Sequence, residues 1–194
     1  MIFFVAKRRN TLKVRKTDRR TLMTKSMIKD SLLELLQNTP YDKITVTSLC
    51  RQAEITRTTF YLHYDNIDDV LDELLDDALR LTELNAFHPA VSIATDPDAS
   101  LPACQRAASD PKYQILFLDE NLSHHILKKL YLLQKPYKIP EIMENYHVTE
   151  WEADKLFLFM LHGNFAVNKA LNWTKNADWY RIQDIIDKIL QNVE

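Results

Sequence analysis

The stretch Ile44-Thr45-Val46-Thr47-Ser48-Leu49-Cys50-Arg51-Gln52-Ala53-Glu54-Ile55-Thr56-Arg57-Thr58-Thr59-Phe60-Tyr61-Leu62-His63-Tyr64 decides the fold. It holds two short runs of helical apolar spacing, each introduced by a threonine, with only Glu54 and Ile55 between them. Thr45 is placed to cap a helix over Val46 to Ala53, and Thr56 one over Arg57 to His63. A side-chain oxygen just ahead of a helix satisfies a backbone N–H that has no partner inside it. Two short helices joined by so tight a turn form a helix-turn-helix, the arrangement in which the second helix enters a groove of DNA.

The flanks extend the helical pattern. Upstream, Ile28, Leu32, Leu35 and Leu36 predict a helix from Asp18 to Asn38, ended by Pro40. Downstream, Ile67, Val70, Leu71, Leu74, Leu75 and Ala78 form one apolar stripe of a helix from Ile67 to Leu84, whose other face carries Asp68, Asp69, Asp72, Glu73, Asp76 and Asp77. Residues 85 to 112 hold Pro89, Pro97, Pro102 and Pro111, four of the seven prolines, and read as a long connection with one short helix near Leu101 to Ser109. Asp110-Pro111 opens a short helix through Phe117, and Asp119 caps another that ends before Pro136.

Thr149-Glu150-Trp151-Glu152 is a capping box for a helix reaching about Trp173. Within that helix Leu156-Phe157-Leu158-Phe159-Met160-Leu161 is apolar on every side, which predicts burial on both sides: the domain's own core on one, a second copy of the chain on the other. A last helix from Asp178 to Val193 aligns Ile182, Ile185, Ile186, Ile189, Leu190 and Val193, and would complete a four-helix interface between the copies. The expected fold class is therefore all-α: a basic flexible arm (1–17), a helix-turn-helix domain (18–80) and a regulatory and dimerisation domain (81–194).

Composition narrows the chemistry. Gly163 is the one glycine in 194 residues, so every phosphate or dinucleotide loop and nucleophile elbow that needs two or more glycines is excluded. The net charge of −2 hides an asymmetry: residues 1–64 hold 13 basic and 5 acidic side chains, net +8, and residues 65–194 hold 12 and 22, net −10. A basic head suggests a polyanion, most simply nucleic acid, with a solvated arm or a membrane-surface segment as the other readings. Cys50 and Cys104 supply neither a disulfide framework nor a zinc pattern and suit a reduced cytoplasmic setting. Five apolar residues, Ile2 to Ala6, are too few for a signal-peptide core. Residues 1 to 16 read as a disordered basic arm, or as the product of a start site upstream of the true one. No stretch is apolar for long enough to span a bilayer.

Ile44-Thr45-Val46 followed by Leu49, Ala53, Ile55-Thr56-Arg57, Thr59-Phe60-Tyr61 and His63-Tyr64 resembles the N-terminal domain of TetR/AcrR-family transcriptional regulators, in which the pattern T-V-x-x-I-A-x-x-A-G-V-S-x-G-T-F-Y-x-H-F recurs. The resemblance spans Asp18 to Leu71; beyond Leu84 it is one of architecture only. Val46, Leu49, Cys50, Ala53, Ile55 and Phe60 are the apolar positions that lock the two helices together. Arg57, Thr58 and Leu62 are expected nearest the bases, since arginine reads guanine bidentately and threonine meets a base edge or a methyl group. Thr59, Tyr61, His63 and Tyr64 are expected on or near the DNA backbone, with Thr45, Thr47 and Ser48 at the second helix facing a phosphate.

Three departures from the family pattern stand out. Glu54 replaces the turn glycine, so the turn either avoids positive φ or is strained by about 1 kcal/mol. Thr58 replaces a small glycine, which alters the approach to DNA or adds a contact. Ile67, among Asp65, Asp68 and Asp69, stands where the family usually has a phosphate-binding lysine. The affinity so lost would be recovered by Lys13, Arg15, Lys16, Arg19, Arg20 and Lys25, with steep salt dependence.

In the body, Phe117, Tyr131, Tyr137, Trp151, Phe157, Met160 and Phe165 read first as plain core and second as the lining of a pocket for a small apolar or aromatic effector, which the resemblance implies. Phe159, Gly163, Val167, Ile182, Ile186 and Ile189 are the candidate dimer contacts; Gly163 allows close helix approach or a bend. His124, His125, His147 and His162 lack the further ligands a metal needs, and no cofactor is expected. The chain thus reads as a cytoplasmic homodimeric regulator, a repressor released by a ligand, binding double-stranded DNA at a palindromic operator and no membrane. Its rivals are an adaptor with a degenerate DNA-binding head and a small helical enzyme, against which stands the lack of any nucleophile-base-acid motif.

Overall fold

The computed structural model describes residues 16–86 and 103–191. The basic arm over residues 1–15, Pro89, Pro97 and Pro102 of the connection, and Val193 lie outside them. Every described element is helical: α1 (Lys16–Leu36), α2 (Val46–Gln52), α3 (Arg57–Tyr61), α4 (Ile67–Ala86), α5 (Ala103–Ser109), α6 (Gln114–Leu118), α7 (Ser123–Tyr146), α8 (Glu150–Ala170) and α9 (Ala177–Gln191). Single 3-10 turns at Tyr41–Lys43 and Glu120–Leu122 precede α2 and α7. No helix among the described residues is long and apolar enough to cross a membrane.

One stripe of each long helix builds a continuous core. Ile28, Leu32, Leu33 and Leu36 of α1 meet Leu49 and Phe60 of the short helices and Val70, Leu71, Leu74 and Leu75 of α4, and the cluster continues into Leu116, Phe117, Ile126 and Leu130. Burying a leucine or phenylalanine side chain contributes roughly 1.5–3 kcal/mol, so α4, which touches both halves, ties them into one packed body. The seam between halves is also polar. Asp119 caps the second 3-10 turn through the N–H of Asn121 at 2.8 Å, and its other oxygen accepts the N–H of Tyr41 at 2.9 Å. Lys112 pairs with Asp30 at 2.9 Å across the same seam.

Several boundaries differ from the sequence expectation. The helix expected to open at Asp110-Pro111 begins only at Gln114, and Asp119 caps the 3-10 turn rather than α7, which starts at Ser123 without a side-chain cap. The helix begun after Asp119 does not stop before Pro136: α7 runs through both Pro136 and Pro140. A proline inside a helix leaves the carbonyl four residues earlier without its donor. Pro136 and Pro140 are both exposed, so their rings face away from the core, while Ile139 and Ile142 hold the second half of α7 in the core. The third helix is also shorter, with Leu62 as its C-cap.

At the far end, Thr149 and Glu152 form the capping box of α8, the Thr149 N–H donating to Glu152 at 2.8 Å. Ala153, Phe157, Leu161 and Phe165 bury one face of α8, and Phe159 on the other is 69% exposed. The Trp179 indole N–H donates to buried Asn168 at 2.6 Å, fixing α9 to α8.

Candidate nucleic-acid interface

The two short helices α2 and α3 and the turn between them are built from local chemistry. Thr45 caps α2 by accepting from the Ser48 N–H at 3.1 Å, and the Ser48 hydroxyl returns the contact by accepting the Thr45 N–H at 3.0 Å. Thr56 caps α3 by accepting from the Thr59 N–H at 3.1 Å. Between the helices Glu54 adopts φ of 53°, and the Ile55 N–H closes the turn on the Cys50 carbonyl at 3.0 Å. The turn therefore takes the left-handed conformation with a side chain present, which costs roughly 1–2 kcal/mol relative to glycine's freedom.

Phe60 is fully buried and anchors α3, while Leu62 is 75% and Tyr61 56% exposed. Arg57 and Thr58 face solvent as well. The Arg57 guanidinium donates to the Thr47 hydroxyl, so the first residue of α3 is steadied by the first turn of α2. Burial pushes the Cys50 thiol upward against the opposing pull of the nearby Arg57 charge.

Besides Thr45, Thr47 and Arg57, four more of the candidate contacts are engaged within the protein. The Ser48 hydroxyl belongs to the capping box and also donates to the Thr45 carbonyl at 2.8 Å. Thr59 is half-buried, its hydroxyl 3.0 Å from that of Thr56. Tyr64 is buried, its phenol donating to Glu73 at 3.1 Å. Lys25 lies 2.6 Å from Glu73 and over the Tyr64 ring at 4.8 Å. Burial raises the Tyr64 phenol, and the Glu73 charge adds to the rise. Burial works upward on Glu73 too, but hydrogen bonds from Lys25, Lys29 and Tyr64 outweigh it and hold the carboxyl below its ordinary value. His63 is half-buried and, with Tyr61, Leu62 and Asp65, lines an open groove of about 530 Å³ beside the acidic face of α4.

The sequence reading missed the pairing of Lys25 and Lys29 with α4. Its signal was present: lysines one turn apart on α1, and Asp69, Glu73 and Asp77 one turn apart on α4, are matching stripes of opposite sign. Lys29 reaches Glu73 at 3.2 Å and also Asp77.

The candidate effector residues are dispersed. Phe117 is core, edge-on to Trp173 at 5.0 Å. Tyr131 stacks on Phe157 at 5.6 Å and donates to Asp154, and Met160 is half-buried against the core. Tyr137 and Trp151 face solvent, 61% and 70% exposed. On the last two helices Val167, Ala170, Leu171, Ile182 and Ile185 line an apolar groove of about 420 Å³. Phe159, Gly163 and Ile189 are exposed on the same two helices, and Ile186 is half-buried. A side chain at Gly163 would meet open space. Among the described residues no group of three or more His, Cys, Asp or Glu side chains is placed to hold a metal ion.

Comparison of the chain with protein-family models, with curated proteins and with solved structures returns no match.

Proposed function

We propose that the chain is a sequence-specific DNA-binding transcriptional regulator of the TetR/AcrR type, a homodimer that recognises a palindromic operator as a repressor and is released by a small apolar or aromatic effector. The observation that carries the reading is the outward face of α3: Arg57, Thr58, Tyr61 and Leu62 are exposed while Phe60 is fully buried. A helix of five residues that turns its arginine, threonine and tyrosine to solvent is poorly explained by packing and well explained by a groove of DNA.

Arg57 is assigned to base reading, with its guanidinium steadied by Thr47. Lys25 is paired with Glu73, so phosphate anchoring falls to Arg19, Arg20 and the basic residues of the arm. The apolar groove on α8 and α9, continued by exposed Phe159 and Ile189, is assigned to a second copy, which would present two α3 helices to major grooves about 34–36 Å apart. No catalytic residue is assigned.

Selection of duplexes from a random pool by the purified chain at moderate salt tests the reading, with an enriched palindrome as the expected result. Arg57→Ala should then relax preference at one position of each half-site by about 1–3 kcal/mol, whereas removing residues 1–15 should weaken all sequences alike and flatten the salt slope. No enriched palindrome would overturn the repressor. The pairing of Lys25 and the acids beside α3 favour the adaptor as the second reading, and capture of a basic protein segment without DNA enrichment would select it.

A further inference from the structure

The hydroxyls around the turn between α2 and α3 are not used alike. Thr45 and Ser48 form the capping box of α2, and Thr56 and Thr59 close the first turn of α3. Thr47 takes no part in either cap; its hydroxyl accepts from Nη2 of Arg57, ten residues further on. Both residues face solvent, and threonine is a poor helix former at an exposed position, so local helix stability does not account for it. Among the described residues Arg57 has no carboxylate partner, and the Thr47 hydroxyl donates its own hydrogen to no acceptor. Nη2 carries one hydrogen on each of the two donor edges of the guanidinium. Whichever of them Thr47 takes, the other edge stays whole for bidentate contact with a guanine.

We infer that Thr47 is a positioning residue for base recognition: it holds the Arg57 guanidinium in place while its own O–H donates to a DNA phosphate, so that base reading and backbone contact engage in one register. The inference rests on the DNA-binding reading proposed above. A hydroxyl suits this role better than a carboxylate. It fixes the fork without neutralising it and without repelling a phosphate. The geometry is held from beneath by buried Leu49, Cys50, Ala53 and Phe60, and by the Ile55 N–H on the Cys50 carbonyl at 3.0 Å. Restricting a long side chain in the free protein lowers the entropy lost on binding.

The test uses the full chain and the palindrome enriched from the random pool, with each of the bases placed in turn at the position that Arg57→Ala identifies. Thr47→Val, which keeps the shape and loses the hydroxyl, should lower the preference at that position about fivefold, the scale of ordering one long side chain. It should leave the preferences at other positions, the salt slope and the thermal melt unchanged. Thr47→Ser should restore the preference to within about twofold, and Thr47→Val added to Arg57→Ala should change it no further. An unchanged preference in Thr47→Val, an equal loss in Thr47→Ser, or an additive loss in the double variant would overturn this inference and leave the repressor standing. Failure to enrich any palindrome would overturn both.

Discussion

The Lys25 ammonium lies 2.6 Å from the Glu73 carboxylate and over the Tyr64 ring, so a basic residue of the head is held inward by the acidic helix behind it. Glu73 keeps Lys29 and the Tyr64 phenol when Lys25 is removed. Lys25→Met should therefore cost less than about 1 kcal/mol in urea unfolding. It should also leave the salt slope of DNA binding unchanged, whereas loss of a phosphate-contacting lysine would lower that slope by about 1. A lowered slope would return Lys25 to the interface.

Glu54 holds φ of 53° at the turn between α2 and α3. Glycine adopts that conformation without the Cβ clash, though it gives back part of the gain through its freer unfolded chain. Glu54→Gly should raise stability by up to about 1 kcal/mol, and Glu54→Val, β-branched, should lower it by more than that. Paired chemical denaturation curves decide.

Phe60 and Leu62 stand two residues apart with opposite duties, one fully buried and one 75% exposed. Phe60→Ala should cost about 3–5 kcal/mol of stability. Leu62→Ala should change stability by less than about 0.5 kcal/mol and weaken binding to selected duplexes. Equal loss of stability in both variants would contradict the division between scaffold and contact face.

Pro136 is exposed within the middle of α7. Its replacement by alanine restores a backbone donor and removes a steric clash, so Pro136→Ala should stabilise the chain by about 1–3 kcal/mol and raise its melting temperature. No change would show that the surrounding core already enforces the helix at no cost.

Lys135, 2.8 Å away, together with Tyr131 and Lys155, holds the Asp154 carboxyl well below its ordinary value of 3.8. A depressed carboxyl contributes stability above its unfolded pKa and loses it as pH falls through the folded one. The excess stability of the wild type over Asp154→Asn should thus be constant near neutrality and shrink as pH drops below about 4. An excess that does not vary with pH would remove the carboxylate's charge from the account.

The sequence by itself determined the elements and their order. Thr45, Thr56 and Thr149 cap the helices they were expected to cap, because a cap is a bargain between residues three apart and needs nothing from the rest of the chain. The apolar stripes of α1 and α4 were legible for the same reason, since periodicity is a local property. Tertiary structure decided which polar groups remain free to act. Lys25 meets Glu73 across 48 residues and Tyr41 meets Asp119 across 78, so neither pairing follows from local spacing. The same packing carries α7 through two prolines and disperses the aromatic residues of the body. Caps and periods are settled by neighbours in sequence, whereas the partner of a charge is settled by how helices cross.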